Sequence, residues 1–367
     1  MTKRHSFRLI DSGVDEGRRQ IAYDAALTEL HGAGKVPDTV RFMRFPPTVL
    51  VGRHQILADE VHVERCRAEG VGLVRRVSGG GAIYLDEGQV GWELVMHRAT
   101  LGLGTLGAHA QAICEAVALG LSERFGIAAR FRPRNDIEVD GRKIGGTGGF
   151  FVGDTLVYQG TVLVDMDADR MARLLNIPAS KLQRHDTGNA ASRVVTLQEL
   201  LGRTPSIDEV HAALLHGLAQ GLGIEGQPAR PGSDEIALTA RLLAEEIGTD
   251  DFVHGKDMPP GEVAGEPLLE SVKETPGGTI RVWVRLEGRG GGRRIREILV
   301  SGDFFVVPPR FVYDLESCLR GVAVAELPAV LDRVFDATPP ELLSMTSADL
   351  KSAIASALDG NAMLCSA

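Results

Sequence analysis

Cysteine is scarce in this chain: Cys66, Cys114, Cys318 and Cys365 are its four thiols in 367 residues, and no two form a C-x-x-C pair. Neither a disulfide framework nor a zinc site fits such spacing, and reduced thiols in a cytoplasmic protein are expected. Positive charge is also short, with 40 Lys and Arg against 49 Asp and Glu and a formal charge of -9. The bulk field therefore does not attract phosphate polymers or anionic membranes, and any anion site must be local. No apolar run approaches the roughly 20 residues of a membrane span. The opening stretch, MTKRHSFRLIDSG, lacks the apolar centre of a secretory signal. The common nucleotide fingerprints are missing too: no glycine run ends in Gly-Lys-Ser/Thr, and no Gly-x-Gly-x-x-Gly spans a strand-to-helix junction.

What is present is the composition of a folded protein, 44% hydrophobic and 24% charged. Residues 18–31 carry Ile21, Ala25, Ala26, Leu27 and Leu30 at helical spacing, and Gly32 and Gly34 end the run. The stretch 40–52 reads as two strands broken at Pro46-Pro47, and strands are expected at 72–77 and 82–85 around Gly79-Gly80-Gly81. A helix over 107–126 precedes strands at 137–139, 156–158 and 161–164 and helices at 168–175, 197–201 and 207–222, the last capped by Ser206 and Gly223. Proline and glycine accumulate at 226–233 and at 255–267, and the second stretch is the better boundary. Beyond it, strands at 279–286 and 295–300 flank Gly288–Arg294 as a long-looped hairpin, followed by helical patterns at 313–320, 324–335 and 346–358. The expected class is α+β: a domain over 1–262 with a mixed sheet flanked by helices, and a small α+β domain over 263–367.

Two segments carry candidate chemistry. In Arg75-Arg76-Val77-Ser78-Gly79-Gly80-Gly81-Ala82-Ile83-Tyr84, three glycines let the backbone approach a ligand and turn its N–H groups toward anionic oxygens beside fixed arginine charge. The bland reading is a glycine-rich hairpin turn with solvated arginines. In the second segment, Asn135-Asp136 is followed by the turn signal Asp140-Gly141, then Lys143 and a further glycine cluster at Gly145 and Gly146. An isolated lysine is ordinarily a solvated charge, but one placed between two glycine clusters facing a single cleft could hold an acid against a nucleotide phosphate. Asp136, with Asn135, is a candidate for placing Mg²⁺, although capping the turn suits it equally.

Taken in order, Arg75-Arg76-x-Ser78-Gly79-Gly80-Gly81-Ala82 with Asp86, Asn135-Asp136 and Gly141-Arg-Lys143-Ile-Gly145-Gly146 resemble the lipoate-protein ligase family. Similar stretches are Val49–Gln55, Gly160-Thr161-Val162-Leu163 and Ser192–Leu197, and Gly302-Asp303-Phe304-Phe305 resembles the accessory domain of two-domain ligases. The resemblance implies a biotin/lipoate-ligase type sheet with an apolar acyl tunnel. It also implies activation of lipoate or octanoate with ATP and Mg²⁺ to an acyl-adenylate, and transfer to a lysine of a lipoyl carrier protein or domain. By position, Arg76 and Gly79 to Tyr84, through Ala82 and Ile83, would contact ATP; Asn135, Asp136, Gly145, Gly146, Gly160 and Thr161 would complete the site; Lys143 would hold both carboxyl and phosphate. A monomer is expected.

Related octanoyltransferases hold the acyl group on a cysteine without ATP, but no cysteine lies between Cys114 and Cys318, and Cys66 and Cys114 sit in helical patterns. Biotin ligases carry a Gly-Arg-Gly-Arg type loop that Gly79–Gly81 does not match. A non-enzymatic reading, RNA binding through the Gly288–Arg294 run, is countered by the absence of interleaved aromatics. Two departures from the family stand out: Thr147 with two further glycines after Gly146, and Gln159 where many relatives have histidine.

Overall fold

The computed structural model describes residues 3–133, 135–176, 193–256, 268–288, 292–343 and 345–358. In chain order its first elements are β1 (His5–Val14), α1 (Gly17–Gly32), β2 (Thr39–Arg44), β3 (Thr48–Val51), the short helices α2 (Leu57–Glu60) and α3 (Val63–Ala68), β4 (Gly72–Arg75), β5 (Ile83–Leu85), β6 (Gln89–His97) and α4 (Leu106–Phe125). Then come β7 (Arg130–Arg132), β8 (Asp136–Val139), β9 (Arg142–Val152), β10 (Thr155–Leu163), α5 (Ala168–Leu174), α6 (Leu197–Leu201), α7 (Ile207–Leu222), β11 (Ile224–Pro228), α8 (Ser233–Glu245) and α9 (Asp250–His254). Eight of these strands form one mixed sheet in the order β11-β1-β2-β6-β10-β9-β8-β7, with β1 parallel to β2 and β11 and the remaining pairs antiparallel. A smaller sheet, β4-β3-β5, stands beside it.

The helices follow from apolar periodicity and local caps. Helix α1 buries Ile21, Ala22, Ala26, Leu27 and Leu30, and the Glu16 carboxylate accepts from the Arg19 N–H at its start. Helix α7 opens with the expected Ser206, whose hydroxyl accepts from Glu209 N–H while the Glu209 carboxylate accepts from Ser206 N–H, and Gly223 closes it in a left-handed conformation. With α4 it packs on one face of the large sheet around Phe42, Trp92, Ile113, Val117, Tyr158 and Leu214. On the other side, α1 packs with Met43, Phe45, Leu50, Val74 and Leu85, joining the large sheet to the small one.

After residue 267 the chain builds β12 (Leu268–Thr275), β13 (Gly278–Glu287), β14 (Arg294–Gly302), β15 (Val306–Val307), α10 (Phe311–Leu319), α11 (Leu327–Ala337), β16 (Glu341–Leu342) and α12 (Ser347–Leu358). The sheet β12-β13-β14 and the three helices bury Val282, Val284, Val300, Phe304, Leu315, Leu331 and Ile354 in a cluster of their own. Most of the proline-rich stretch expected at 255–267 lies outside the described residues, as do residues 289–291 of the Gly/Arg run.

The second glycine cluster is the middle of strand β9, and the two short strands expected around Gly160 are one, β10. Glycine in a strand interior marks the close approach of another group. A Cβ on Gly149 would meet the Tyr158 ring at 2.5 Å and one on Gly160 the Trp92 ring at 2.3 Å, so aromatic packing accounts for these bare positions. The Asp140-Gly141 turn is as expected, with positive φ at both residues.

Candidate active site

A cavity of about 710 Å³ opens between the large sheet, the small sheet and the segment around residues 303–305. Ile21, Met43, Phe45, Leu50 and Leu85, from one apolar cluster, line part of it, and Leu163, Met166, Met171 and Leu175, from another, line a second part. Of the residues singled out in the sequence, Arg76, Gly79, Gly80, Gly81, Ala82, Ile83, Tyr84, Asn135, Asp136, Lys143, Gly146, Gly160 and Thr161 all line it. Gly145 does not; its Cα faces the Thr161 carbonyl, which a Cβ would meet at 2.2 Å. The volume is of the size that encloses a small-molecule ligand.

The arginines before the glycine loop are not free anchors. Arg75 donates to the carbonyls of Gly52, Gln55 and Val253, and Arg76 to those of Leu50, Gly79 and Gly81. Arg76 thus sets the loop's shape and adds charge to the cavity wall, whereas Arg75 ties the 52–55 turn to the end of α9. Burial lowers the Arg76 pKa to about 10, which leaves it charged at neutral pH. Gly80 has φ +91°, a conformation that favours glycine, and its N–H donates to the Phe304 carbonyl at 3.1 Å. The Phe305 ring covers both this loop and β9: a Cβ on Gly80 would meet it at 2.6 Å and one on Gly148 at 2.3 Å. One aromatic side chain from beyond residue 267 therefore explains two bare glycines, one in each cluster.

Lys143 follows the Asp140-Gly141 turn onto β9, and its ammonium lies over Gly146, 2.6 Å from where a Cβ would stand. It pairs with the Asp136 carboxylate at 2.7 Å, and Arg132 pairs with the same carboxylate. Burial pushes the Asp136 carboxyl upward, but these two cations outweigh it and hold the pKa below the usual carboxylate value. Asn135 is likewise occupied, donating to the Thr147 carbonyl at 2.6 Å and accepting from the Thr147 N–H on its own carbonyl. Asp136 and Asn135 thus do not fit a resident Mg²⁺ site, and among the described residues no group of three or more His, Cys, Asp or Glu side chains is arranged to hold a metal.

The sequence reading missed a buried charge cluster at the cavity floor. Arg41 on β2, Glu93 on β6, Gln159 on β10 and Gly148 on β9 stand in one row across four strands. Arg41 pairs with Glu93 and with Asp24 of α1, and Gln159 Nε2 donates to Asp24 at 2.7 Å and Glu93 at 3.0 Å. Burial, with Asp24 adding to it, pushes Glu93 up to about 8 against the opposing pull of Arg41. A carboxyl whose pKa rises on folding contributes stability that is full below its unfolded value of 4.5 and is lost as pH rises through about 8. Thermal midpoints measured across that range should therefore fall more steeply for the wild type than for Glu93→Gln; equal slopes would show that Glu93 does not titrate there.

Residues 16–219 match the Lipoyl protein ligase A/B catalytic domain, more than half of the chain. The chain belongs to the lipoyl protein ligase A/B family. A curated relative, the octanoyltransferase LipM of Brevibacillus brevis, is 27% identical over 256 residues, covering 63% of this chain and 92% of that protein. Among solved structures, a bipartite lipoate protein ligase from Thermoplasma acidophilum, described with its E2 lipoyl domain, superposes with TM-score 0.61 at 24% identity, covering 71% of this chain and all of that one. A lipoate-protein ligase A bound with ATP gives TM-score 0.61 at 24% identity over 68% of this chain and 99% of that one. The LipL1 protein of P. falciparum in complex with lipoate gives 0.71 at 14% identity over 96% of this chain and 99% of that one, so the fold is shared through the C-terminal part. The fold is thus the α+β lipoate-ligase type expected from the sequence.

Family members named as ligases and as octanoyltransferases both appear among these relatives, which makes the thiols informative. No cysteine lines the cavity among the described residues. Cys66 and Cys114 are buried, and burial pushes both thiols up in pKa. Cys114 is hydrogen-bonded to the Thr147 and Tyr158 hydroxyls, and Cys318 is exposed on α10. No helix among the described residues is long and apolar enough to cross a membrane.

Proposed function

We propose that the protein activates lipoate or octanoate with ATP as an acyl-adenylate and transfers the acyl group to a lysine of a lipoyl carrier domain. The observation that carries this reading is the Lys143 ammonium over bare Gly146, in one cavity with the glycine loop and with no cysteine lining it among the described residues. In the first step a carboxylate oxygen attacks the α-phosphorus, the bond to the bridging oxygen breaks, and pyrophosphate leaves with that electron pair. Lys143 remains charged and stabilises the charge gathering on the phosphate and on the acyl carbonyl. The Met- and Leu-lined second part of the cavity suits a nucleotide base, and any Mg²⁺ arrives as the counter-ion of the ATP substrate. In the second step the carrier amine attacks the carbonyl carbon, AMP leaves, and the nitrogen loses a proton. The ATP-bound and lipoyl-domain-linked relatives support this choice of substrates and partner.

The LipM likeness favours a second reading, acyl transfer from a carrier thioester without ATP. The two separate in one experiment. A variant lacking all four cysteines is expected to keep ATP-dependent lipoylation of a carrier domain; loss of transfer, with an acyl-enzyme thioester trapped on the unmodified protein, would favour the transferase.

The part from about residue 263 onward, with its own apolar cluster, acts as a domain that closes the cavity during adenylation and moves away for transfer. Its contacts with the catalytic part include the Gly80–Phe304 and Gly302–His54 backbone bonds, the Phe305 ring over Gly80 and Gly148, the Phe304 ring stacked on His54, the ion pairs Arg281–Asp59, Arg98–Glu341 and Lys256–Glu316, and Val307 in the apolar cluster of the large sheet. A mixed anhydride needs water excluded, whereas transfer needs an amine admitted. Phe305→Ala is expected to raise carrier-independent release of AMP severalfold, measured chromatographically after mixing with ATP and lipoate. An unchanged ratio of AMP released with and without carrier would remove Phe305 from this role.

A further inference from the structure

Among the polar side chains that line the cavity, Gln159 is one that acyl activation leaves unused. Gln159 and Asp24 both line the cavity, and Ile21, one helical turn before Asp24, lines it beside them. Both donated hydrogen bonds of Gln159 come from Nε2, to Asp24 and Glu93. Asp24, paired with Arg41, thereby fixes the amide's orientation, because only its NH₂ group can donate to that carboxylate. The Oε1 atom is left as an acceptor without a partner among the described residues.

Register sets its distance from the reacting end. Gln159 pairs with Gly148, two residues along β9 from the Gly146 over which the Lys143 ammonium lies. One strand spacing and two residues of rise put the backbone positions of Gln159 and Gly146 about 8 Å apart, on the scale of a medium-chain acid held at Lys143. A methyl terminus arriving there would strip water from Oε1 and return nothing, whereas a terminal O–H or S–H would replace it.

We propose that Gln159 reads the far end of the acyl chain and favours medium-chain acids that end in a hydrogen-bond donor, such as the dithiol form of lipoate, over octanoate. This rests on the cavity being the acyl site of the proposed ligase. Its selectivity is read without ATP, so that it stands or falls apart from adenylation. The experiment is titration calorimetry of the full chain with octanoate, 8-hydroxyoctanoate and dihydrolipoate. The two donor-bearing acids are expected to bind about threefold to tenfold tighter than octanoate, the range of one neutral hydrogen bond. In Gln159→Met, which keeps length and removes the acceptor, that order should reverse. Tighter binding of octanoate than of 8-hydroxyoctanoate by the unmodified protein would overturn the inference whether or not the variant folds, as would absence of binding by all three. Acids that bind in the expected order but are not adenylated when ATP is added would leave this inference standing and refute the activation reading.

Discussion

Lys143→Ala is expected to lower pyrophosphate release from ATP and lipoate by about 100- to 1,000-fold, the range for removing one preorganised group that stabilises developing negative charge. The ammonium sits over Gly146 with its Nζ where a Cβ has no room, and its ion pair with Asp136 holds it there until a substrate anion competes. Lys143→Arg should recover only a small part of the loss. A guanidinium keeps the charge, but its planar fork is broader than an ammonium and the space over Gly146 is already filled. A coupled pyrophosphate assay at saturating substrates checks both variants. Normal adenylation by the alanine variant, with failure confined to transfer, would show that Lys143 serves the carrier and not the phosphate.

The largest effect on stability is expected from Arg41→Met. Arg41 is fully buried, and it pairs with Asp24 in the middle of α1 and with Glu93 on β6. Removing one partner of a buried ionic group costs about 3–5 kcal/mol because the charge left behind is uncompensated. Changing all three members to neutral residues, Arg41→Met with Asp24→Asn and Glu93→Gln, should restore most of that loss, since no buried charge then remains. Urea unfolding midpoints give the comparison. A single variant within 1 kcal/mol of the wild type, on this scale, would mean that water reaches the cluster.

The reach of the sequence differed between the parts of this site. Helices α1, α4 and α7 were legible because their apolar faces and end residues act locally; Ser206 and Gly223 mark α7 without reference to the rest of the chain. Strands β1, β6 and β11 were missed. β6 is buried along nearly its whole length and shows no alternation, and β11 lies in a stretch that reads as a linker because its partner, β1, is more than 200 residues away. The glycine clusters are legible in the sequence, but nothing local reveals that the Tyr158, Trp92 and Phe305 rings occupy the missing side chains' space. Arg76 was read as a ligand-facing charge for the same reason: its carbonyl partners exist only once the loop has folded. Asp24, Arg41 and Glu93 lie on three separate elements, and only register brings them together beneath Gln159. Gln159 itself carried a signal, as one of the two departures from the pattern of the family that the sequence resembles.

Formation of an acyl-adenylate is the central step, and native mass spectrometry of the protein mixed with ATP and lipoate, with no carrier and no thioester donor, measures it most directly. A bound species equal in mass to lipoate plus AMP, with pyrophosphate released in step, is the expected result. A chain that binds no adenylate, and instead takes an octanoyl group as a cysteine thioester from an acyl carrier protein, would contradict ATP-dependent activation at this site.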